Sequence, residues 1–300
     1  MEPYIAIIIV NWNSYSVTKP CLESLDTVVY NNLKVILVDN GSSDNSGQRL
    51  KEEHSGIVLI ENQENLGFTG GNNAGIEYAL SQDYDAIMLL NNDTIVTPGF
   101  VTPLIQGLFS NEKIGAIQPK ILYNYDRDII WNAGGVFKTK TCTPKTIGEG
   151  ERDKGQFNEP GSTEWITGCC FLVKSKVVEN IGLLDQKFFI YYEDLDWSLK
   201  IRNHGFDLSY EPSSIIYHEA GMSDQNRDKH GEGNVSPFSR YQEMRNHIYI
   251  VKRYANGINV LSAWVYQFFK FSGYLAYYIS KGRFKKFQFV IRALIHGLAR

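Results

Sequence analysis

The chain contains the stretch Ala86-Ile87-Met88-Leu89-Leu90-Asn91-Asn92-Asp93-Thr94, an apolar run that ends in a polar turn. Such a run predicts a strand buried on both faces of a sheet, with the Asp93 carboxylate at its carboxyl end, where α/β sheets hold ligands. A second acidic pair, Glu193-Asp194, begins a helical pattern far downstream. Two carboxylates that face one cleft, one holding a metal and one taking a proton, suit transfer chemistry on a phosphorylated donor.

Strand, polar loop and helix alternate along the first part of the chain. Apolar runs occupy residues 5–10, 34–38, 57–60 and 85–90, and helical patterns lie between them. This alternation predicts an α/β fold with a mainly parallel central sheet, right-handed crossovers and flanking helices. Because the polar residues fall in the loops after the strands, we expect the chemistry to collect along the carboxyl edge of the sheet.

The pattern is less regular after residue 120. Residues 123–163 are predicted to form irregular strands and loops, which suits an acceptor-binding insertion. Regular elements are predicted at 165–173, near 174–181, from Glu193 onward and near 214–217. We therefore predict one domain over residues 1–255, with a donor-binding half at about 1–120 and an acceptor-binding half at about 121–255, followed by a helical tail over 256–300.

The composition describes a globular chain with a full core, since 43% of the 300 residues are hydrophobic and 21% are charged. The four cysteines lack the paired spacing of a zinc site, and Cys169-Cys170 suits buried strand residues better than a redox pair. The first residues show no basic region followed by an apolar signal core. We expect reduced thiols and a cytoplasmic protein.

The tail differs in charge from the rest of the chain. After Ile250 the sequence contains nine Lys and Arg residues and no Asp or Glu, whereas the whole chain carries a net charge of −3. Lys270 and polar residues interrupt its aromatic, apolar run, so it is too short to span a bilayer. Two interpretations stay open: a helix lying in an anionic membrane surface, peripheral at the inner face of the cell membrane, or helices packed on the catalytic domain with a solvated basic face. Nucleic acid is a poor partner for a chain whose body is acidic.

Three loops after strands offer groups that can bind a donor. The candidates are Asn11, Asn13, Asp39, Asn40, Gly67, Gly71 and Asn72. Asp39 can accept hydrogen bonds from a nucleobase or a ribose, or can simply form a turn. The loop over residues 65–75 opens a helix with glycines that let backbone amides approach an anion, and it is neither a Walker loop nor the dinucleotide-binding fingerprint.

The acidic motifs each have a functional and a structural interpretation. Asp93 is the candidate metal anchor, or it only ends a strand in a turn, and the amides of Asn91 and Asn92 can bond ribose hydroxyls or phosphate oxygens. Glu193 and Asp194 stand at a helix start, where a carboxylate serves either as a general base or as a cap.

Three further positions complete the set of polar candidates. His218 ends an apolar strand, where a neutral imidazole is either a metal ligand or a structural residue. Arg245 can clamp a phosphate, or can belong to a salt-bridged helix face. Asp196 and Lys200 lie four residues apart on a helical face, and we expect this pair to be solvated.

Taken together and in order, these motifs resemble those of the inverting family-two glycosyltransferases with the GT-A fold, and more closely those of the bacterial branch of rhamnosyltransferases and related polysaccharide enzymes. The matching motifs are Val10-Asn11-Trp12-Asn13, Val38-Asp39-Asn40-Gly41-Ser42, Asn65-Leu66-Gly67 with Gly70-Gly71-Asn72, Leu90-Asn91-Asn92-Asp93, Gly168-Cys169-Cys170-Phe171 and Glu193-Asp194-Leu195-Asp196. The resemblance extends over residues 5–254.

The resemblance implies a role for each motif. Asp39 would contact the nucleobase, and Asn72 and Asn91 the ribose or diphosphate. Asp93 would bind Mn²⁺ or Mg²⁺ as the last residue of the family's Asp-x-Asp element, in which Asn91 here replaces the first Asp. His218 would complete that metal site.

The catalytic base implied by the resemblance is Asp194, with Glu193 beside it as a weaker candidate. Transfer would be one inverting displacement, in which a hydroxyl of a glycan or lipid-linked glycan acceptor attacks a dTDP- or UDP-linked sugar during bacterial surface polysaccharide synthesis. Rhamnose is favoured by the branch resemblance alone.

Two other classes of protein compete with this enzyme. A non-catalytic sugar-nucleotide or glycan-binding module on the same fold would be favoured by loss of Asp93 or Asp194, and both are present. A nucleotidyltransferase would be expected to carry a Gly-rich, basic loop after the first strand, where Asn11-Trp12-Asn13 stands instead.

Overall fold

A computed structural model of the protein describes residues 2–219 and 235–299. Its contacts divide the chain into two compact units, each built from separated segments. The first unit comprises Met1–Val136, Thr146–Lys187 and Glu193–Ala220, and the second comprises Phe137–Lys145, Phe188–Tyr192 and Gly221–Arg300.

The strands of the described residues form one large sheet and one small hairpin. The strands of the large sheet are β1 (Ile5–Asn11), β2 (Leu33–Asp39), β3 (Val58–Glu61), β4 (Ala86–Leu90), β5 (Thr94–Val96), β6 (Ile114–Tyr123), β7 (Ile130–Asn132), β10 (Gly161–Thr163), β11 (Cys170–Lys174) and β12 (Asp207–His218). The hairpin pairs β8 (Gly135–Lys138) with β9 (Thr143–Thr146). The order in the large sheet is β10-β12-β6-β11-β4-β1-β2-β3, with β5 on β12 and β7 on β6.

The helices cover the sheet and build the second unit. In the first unit they are α1 (Tyr15–Leu25), α2 (Ser46–Glu53), α3 (Gly67–Leu80), α4 (Val101–Phe109), α5 (Ser175–Ile181) and α6 (Glu193–Asn203). In the second unit they are α7 (Pro237–Tyr254), α8 (Asn259–Ser280) and α9 (Phe284–Ala299). The predicted α/β class and the helical tail are confirmed.

The first four strands pair in parallel, as predicted, with β1 between β2 and β4. Apart from Lys34 and the polar residues at the carboxyl ends of β1, β2 and β3, their residues are apolar. Both faces of the sheet are covered: Ile5, Ile7 and Ile9 enter one core, and Ala6 and Ile8 enter the other. All four cysteines are buried free thiols.

Two strands differ from the sequence-based expectation. β11 pairs antiparallel with both β4 and β6, so the middle of the sheet is mixed. β12 is much longer than the strand expected near 214–217. Its first half escaped the prediction because it alternates buried with less buried residues and has no continuous apolar run. A bulge between Glu211 and Ile215 interrupts its register with β6.

The second unit has its own core, built from three helices. Met244 and Ile248 of α7 pack with Phe271 and Tyr278 of α8, and with Val290 and Ala293 of α9. Across residues 2–219 and 235–299, no helix combines the length and the apolar character that a bilayer crossing requires.

A buried ion pair anchors the irregular insertion within the first unit. Lys120 of β6 is 1% exposed, and its ammonium donates to Asp153 Oδ2 at 2.9 Å and to Asn158 Oδ1. Burial opposes ionisation of Asp153, but hydrogen bonds from Lys120 and from the Gly155 amide are stronger, so the pKa of this carboxyl is below its usual value.

Replacing Asp153 with Ala is expected to lower the free energy of unfolding by about 3 kcal/mol, because the buried Lys120 ammonium loses its counter-charge. Urea denaturation measures the effect. The matched control is Asp128→Ala, which removes an exposed partner of Arg152 and should cost below about 1 kcal/mol. Equal losses for the two variants would contradict the importance of the buried pair.

Candidate active site

The turn between β4 and β5 lies against the end of β12. β12 pairs antiparallel with β5 in a register that sets His218 opposite Thr94, and the Glu219 amide donates to the Asp93 carbonyl at 3.0 Å. This pairing brings the predicted metal ligands Asp93 and His218 together.

The Asp93 carboxylate and the His218 imidazole form a close pair. Asp93 Oδ1 lies 3.0 Å from His218 Nε2, and each residue is 5% exposed. The Trp131 ring holds the imidazole edge-on, with ring centroids 4.4 Å apart. Among residues 2–219 and 235–299, His218 Nδ1 meets no hydrogen-bond partner.

This pair has the spacing of two ligands in one coordination shell. Two ligands at right angles around Mg²⁺, with bonds of about 2.1 Å, lie about 3.0 Å apart. The Asn91 amide lies 3.4 Å from His218 Nε2 and can turn its oxygen to the same point. The described part of the chain contains no cluster of three or more His, Cys, Asp or Glu side chains fit to hold a metal, so a cation here would take other ligands from Asn91, water or phosphate oxygens.

Asp194, the predicted base, is fixed by backbone amides at the start of α6. Its Oδ2 accepts from the Gly168 N–H at 2.9 Å, and its Oδ1 from the Leu195 N–H at 2.7 Å. The neighbouring Cys169 carbonyl accepts from the Asn91 N–H at 2.9 Å. The Gly168-Cys169 backbone thus joins the two acidic motifs at one end of β4 and β11.

Burial sets the protonation of the two neighbouring carboxyls. It raises the pKa of Asp194 above its usual value, and the two amide hydrogen bonds oppose that rise. Burial and the nearby Asp194 and Asp196 charges raise the pKa of Glu193 well above its usual value. Glu193 Oε2 has no hydrogen-bond partner within the described residues.

The expectation that the Asp196–Lys200 pair is solvated was wrong. Asp196 is fully buried, and Lys200 Nζ lies 3.1 Å from its Oδ2. The spacing of four residues predicts that two side chains meet on a helix, but it does not show which face of the helix is covered.

The glycine-rich segment packs tightly against β1 and against Gly168, two residues before β11. A Cβ on Gly71 would lie 2.7 Å from Val10 Cγ1, and one on Gly168 would lie 3.0 Å from Phe68 Cζ. Gly67 takes a φ of +72° where α3 begins. Asn72 is buried, and its amide donates to the Phe68 carbonyl at 2.9 Å.

The loops after β1 and β2 are joined by side-chain hydrogen bonds. Asn11 is fully buried, donates to Ser46 Oγ at 2.7 Å and accepts from Thr18 Oγ1 at 2.8 Å. Asn13 accepts from the Ser43 amide at 2.8 Å. Asn92 donates to the same Thr18 hydroxyl at 2.8 Å.

Asp39 and Asn40 stand at the end of β2. Asp39 accepts from the amide and the hydroxyl of Ser42, and a Cβ on Gly47 would lie 2.2 Å from its Oδ2. Asn40 donates to the Gly67 carbonyl at 3.0 Å and accepts from the Asn62 amide, which ties this loop to the start of α3.

Arg245 belongs to the second unit. Its guanidinium donates to Asn246 Oδ1 at 2.8 Å and to the Phe188 carbonyl at 3.3 Å, and it lies over the Tyr241 ring. These contacts orient the guanidinium, and the phosphate-binding role expected from the sequence stays a prediction.

Sequence reasoning missed Asn246, which holds a strained segment. Phe189, Tyr191 and Tyr192 have φ values of +56°, +70° and +72°, a region that costs a bulky residue energy. The buried Asn246 amide donates to the carbonyls of Phe188, Ile190 and Tyr191 at 2.8–2.9 Å. In the chain this segment directly precedes Glu193.

Comparisons with known proteins identify both the fold and the family of the chain. By its fold the chain resembles the crystal structure of GalNAc-T7 with UDP, GalNAc and Mn²⁺, with a TM-score of 0.63, 16% identity, and coverage of 83% of this chain and 48% of that chain. The fold is therefore the GT-A fold of glycosyltransferases. Residues 6–182 match the family model of glycosyl transferase family 2. The chain belongs to that family, as predicted.

Two curated relatives of low identity are a hexosyltransferase and a rhamnosyltransferase. One is the low-salt glycan biosynthesis hexosyltransferase Agl10 of Haloferax volcanii, 27% identical over 210 residues, which are 68% of this chain and 63% of the relative. Another is the N-acetylglucosaminyl-diphospho-decaprenol L-rhamnosyltransferase of Mycobacterium tuberculosis, 25% identical over 227 residues, 67% of this chain and 71% of the relative. The match thus spans less than two thirds of the length of the first relative.

Replacing Glu193 with Gln is expected to stabilise the protein increasingly as pH rises above 4.5, the ordinary pKa of a Glu. The folded state holds this proton to higher pH than the unfolded state does, so stability of the native protein falls across that window. The Gln variant lacks this loss. Thermal melts between pH 4.5 and 8 measure the difference, and the exposed Glu179→Gln is the control. A difference independent of pH would contradict the raised pKa.

Replacing Asn246 with Ala is expected to lower the free energy of unfolding by about 2 kcal/mol, because the carbonyls of Phe188, Ile190 and Tyr191 lose their donor. Chemical denaturation checks this. The control is Asn256→Ala, at an exposed position after α7. Equal stabilities of the two variants would show that the strained segment needs no such donor.

Proposed function

We propose that this chain is an inverting glycosyltransferase that moves a hexosyl unit from a nucleoside-diphosphate sugar to a hydroxyl of a glycan or lipid-linked glycan acceptor. Family membership supports transfer of a sugar in glycan or polysaccharide synthesis. The structural observation that supports an inverting mechanism is that the Gly168-Cys169 backbone links the two acidic motifs. The Gly168 N–H donates to Asp194, and the Cys169 carbonyl accepts from the Asn91 N–H.

We propose that Asp93 and His218 hold a divalent cation, Mn²⁺ or Mg²⁺, with Asn91 as a neutral third ligand. The 3.0 Å spacing of Asp93 Oδ1 and His218 Nε2 and the burial of both residues support this. When bound, the cation neutralises charge on the departing diphosphate. With Asn91 in place of an Asp, the site carries less negative charge, so we expect weak metal binding without donor.

Asp194 is proposed to take the proton of the attacking hydroxyl. Its two oxygens are aimed by the amides of Gly168 and Leu195, which leaves the carboxylate orientation fixed before substrate binds. The same two donors oppose the rise in pKa that burial causes, and so favour the ionised form that a general base needs. Glu193 Oε2 has no such donor within the described residues, and the raised pKa of Glu193 favours the neutral acid.

The donor is proposed to lie along the carboxyl edge of β1, β2 and β4. Asp39 offers a carboxylate to the nucleobase, and Asn72, Asn91 and Asn92 offer amides to the ribose and diphosphate. Asn11, Asn13, Asn40, Gly67 and Gly71 are proposed to hold this surface in shape, since their contacts are mainly with neighbouring loops. Arg245 is proposed as a further phosphate-binding residue, as the sequence predicts.

The finer assignments follow the resemblance of the motifs. We propose that the donor is a dTDP- or UDP-linked sugar and that the sugar is rhamnose. Residues 1–120 are proposed to bind the donor and residues 121–255 the acceptor. The enzyme is proposed to act in bacterial surface polysaccharide synthesis at the inner face of the cell membrane. The similarity to an L-rhamnosyltransferase supports the sugar.

Replacing Asp194 with Asn is expected to lower the turnover number about 10²–10⁴-fold while nucleotide affinity stays nearly unchanged, because only proton transfer is lost. Asp93→Asn should instead remove the increase in melting temperature that Mn²⁺ gives with UDP or dTDP. Calorimetry and thermal shift, with and without Mn²⁺, separate the two effects.

The control for both variants is Asp83→Asn, outside the site at a positive φ that Asn tolerates. Undiminished turnover of Asp194→Asn would refute its role as base. A wild-type protein that binds sugar nucleotides without transferring or hydrolysing them would favour the non-catalytic binding module.

A further inference from the structure

One face of α8 is apolar and uncovered. Leu261, Val265, Phe268, Phe269 and Ile279, which we call the α8 stripe, are 73%, 46%, 66%, 67% and 54% exposed. Their spacing follows the helical period, so they share one face along most of the helix. Several exposed apolar side chains of this size on one helix face mark an interaction site.

The opposite face of α8 is already occupied. Ala263, Gln267, Phe271 and Tyr278 are buried against the rest of the second unit. Lys270, the single charged residue of α8, points to this covered side, where its ammonium lies 3.1 Å from His247 Nδ1 and its side chain is 11% exposed. Therefore no charge on α8 interrupts the stripe.

We infer that the α8 stripe binds an anionic lipid surface, with α8 lying in the plane of the membrane. A helix of 22 residues extends about 33 Å, and aromatic side chains over that length enter the interfacial region without crossing it. This inference rests on the proposed function, in which the acceptor is lipid-linked.

Charge favours lipid over a second copy of the chain. Lys252 and Arg253 precede α8, and Lys281 and Lys285 follow it, all exposed. The sequence after Ile250 holds nine basic residues and no acidic one. Two copies joined through their α8 stripes would bring like charges together, whereas an anionic headgroup layer supplies the opposite charge at both helix ends.

Co-sedimentation of the full chain with phosphatidylcholine vesicles, with and without phosphatidylglycerol, tests the inference. We expect binding to the anionic vesicles that weakens as salt is raised. Phe268→Gln/Phe269→Gln should lower the partition coefficient about tenfold or more, because both rings lose their insertion. Lys281→Gln/Lys285→Gln should reduce binding to anionic vesicles only.

The matched control is Val29→Gln/Tyr125→Gln, at apolar positions 77% and 72% exposed in the first unit, which should bind like wild type. Absence of wild-type binding, or equal binding of the Phe268→Gln/Phe269→Gln variant, overturns the inference. So does a wild-type dimer in analytical ultracentrifugation that this variant abolishes. The vesicle assay contains no sugar nucleotide, so its result does not depend on whether the chain transfers a sugar.

Discussion

The candidate site depends on the pairing of β12 with β5. Asn91 and His218 are 127 positions apart in the chain, and only a fixed register between these two strands puts an imidazole beside the polar turn after β4. The same strand runs parallel to β6 over most of its length. A slip of one residue would turn His218 to the other face and replace it with Tyr217 or Glu219.

The carboxyls of Asp194 and Glu193 differ in the hydrogen bonds that they receive from backbone amides. Asp194 receives two N–H donors, whereas one Glu193 oxygen receives none from the described residues. Sequence alone cannot distinguish them, because both are acidic residues at one helix start. One of the two donors is the amide of Gly168, whose missing side chain leaves room between the Phe68 ring and Asp194.

The sequence predicted the parts of the fold that repeat a simple pattern. The runs in β1, β2 and β4 are uniformly apolar because they are covered on both sides, so their existence and parallel order could be read directly. β11 could not be oriented in this way, since an apolar run has no direction of pairing. The first half of β12 alternates burial and contains Pro212, which conceals a strand from a search for continuous apolar residues. The structural role of Asn246 could not be predicted, because its hydrogen-bond partners are backbone carbonyls, which every residue has.

Burial of the four thiols has a consequence for the chemistry of the whole chain. It raises the pKa of Cys21 to about 12 and that of Cys142 to about 11, and the pKa values of Cys169 and Cys170 also rise. A thiol that stays protonated and out of contact with solvent is a poor nucleophile. Toward alkylating dyes and mild oxidants, a protein with four cysteines therefore behaves, while folded, as one that has none.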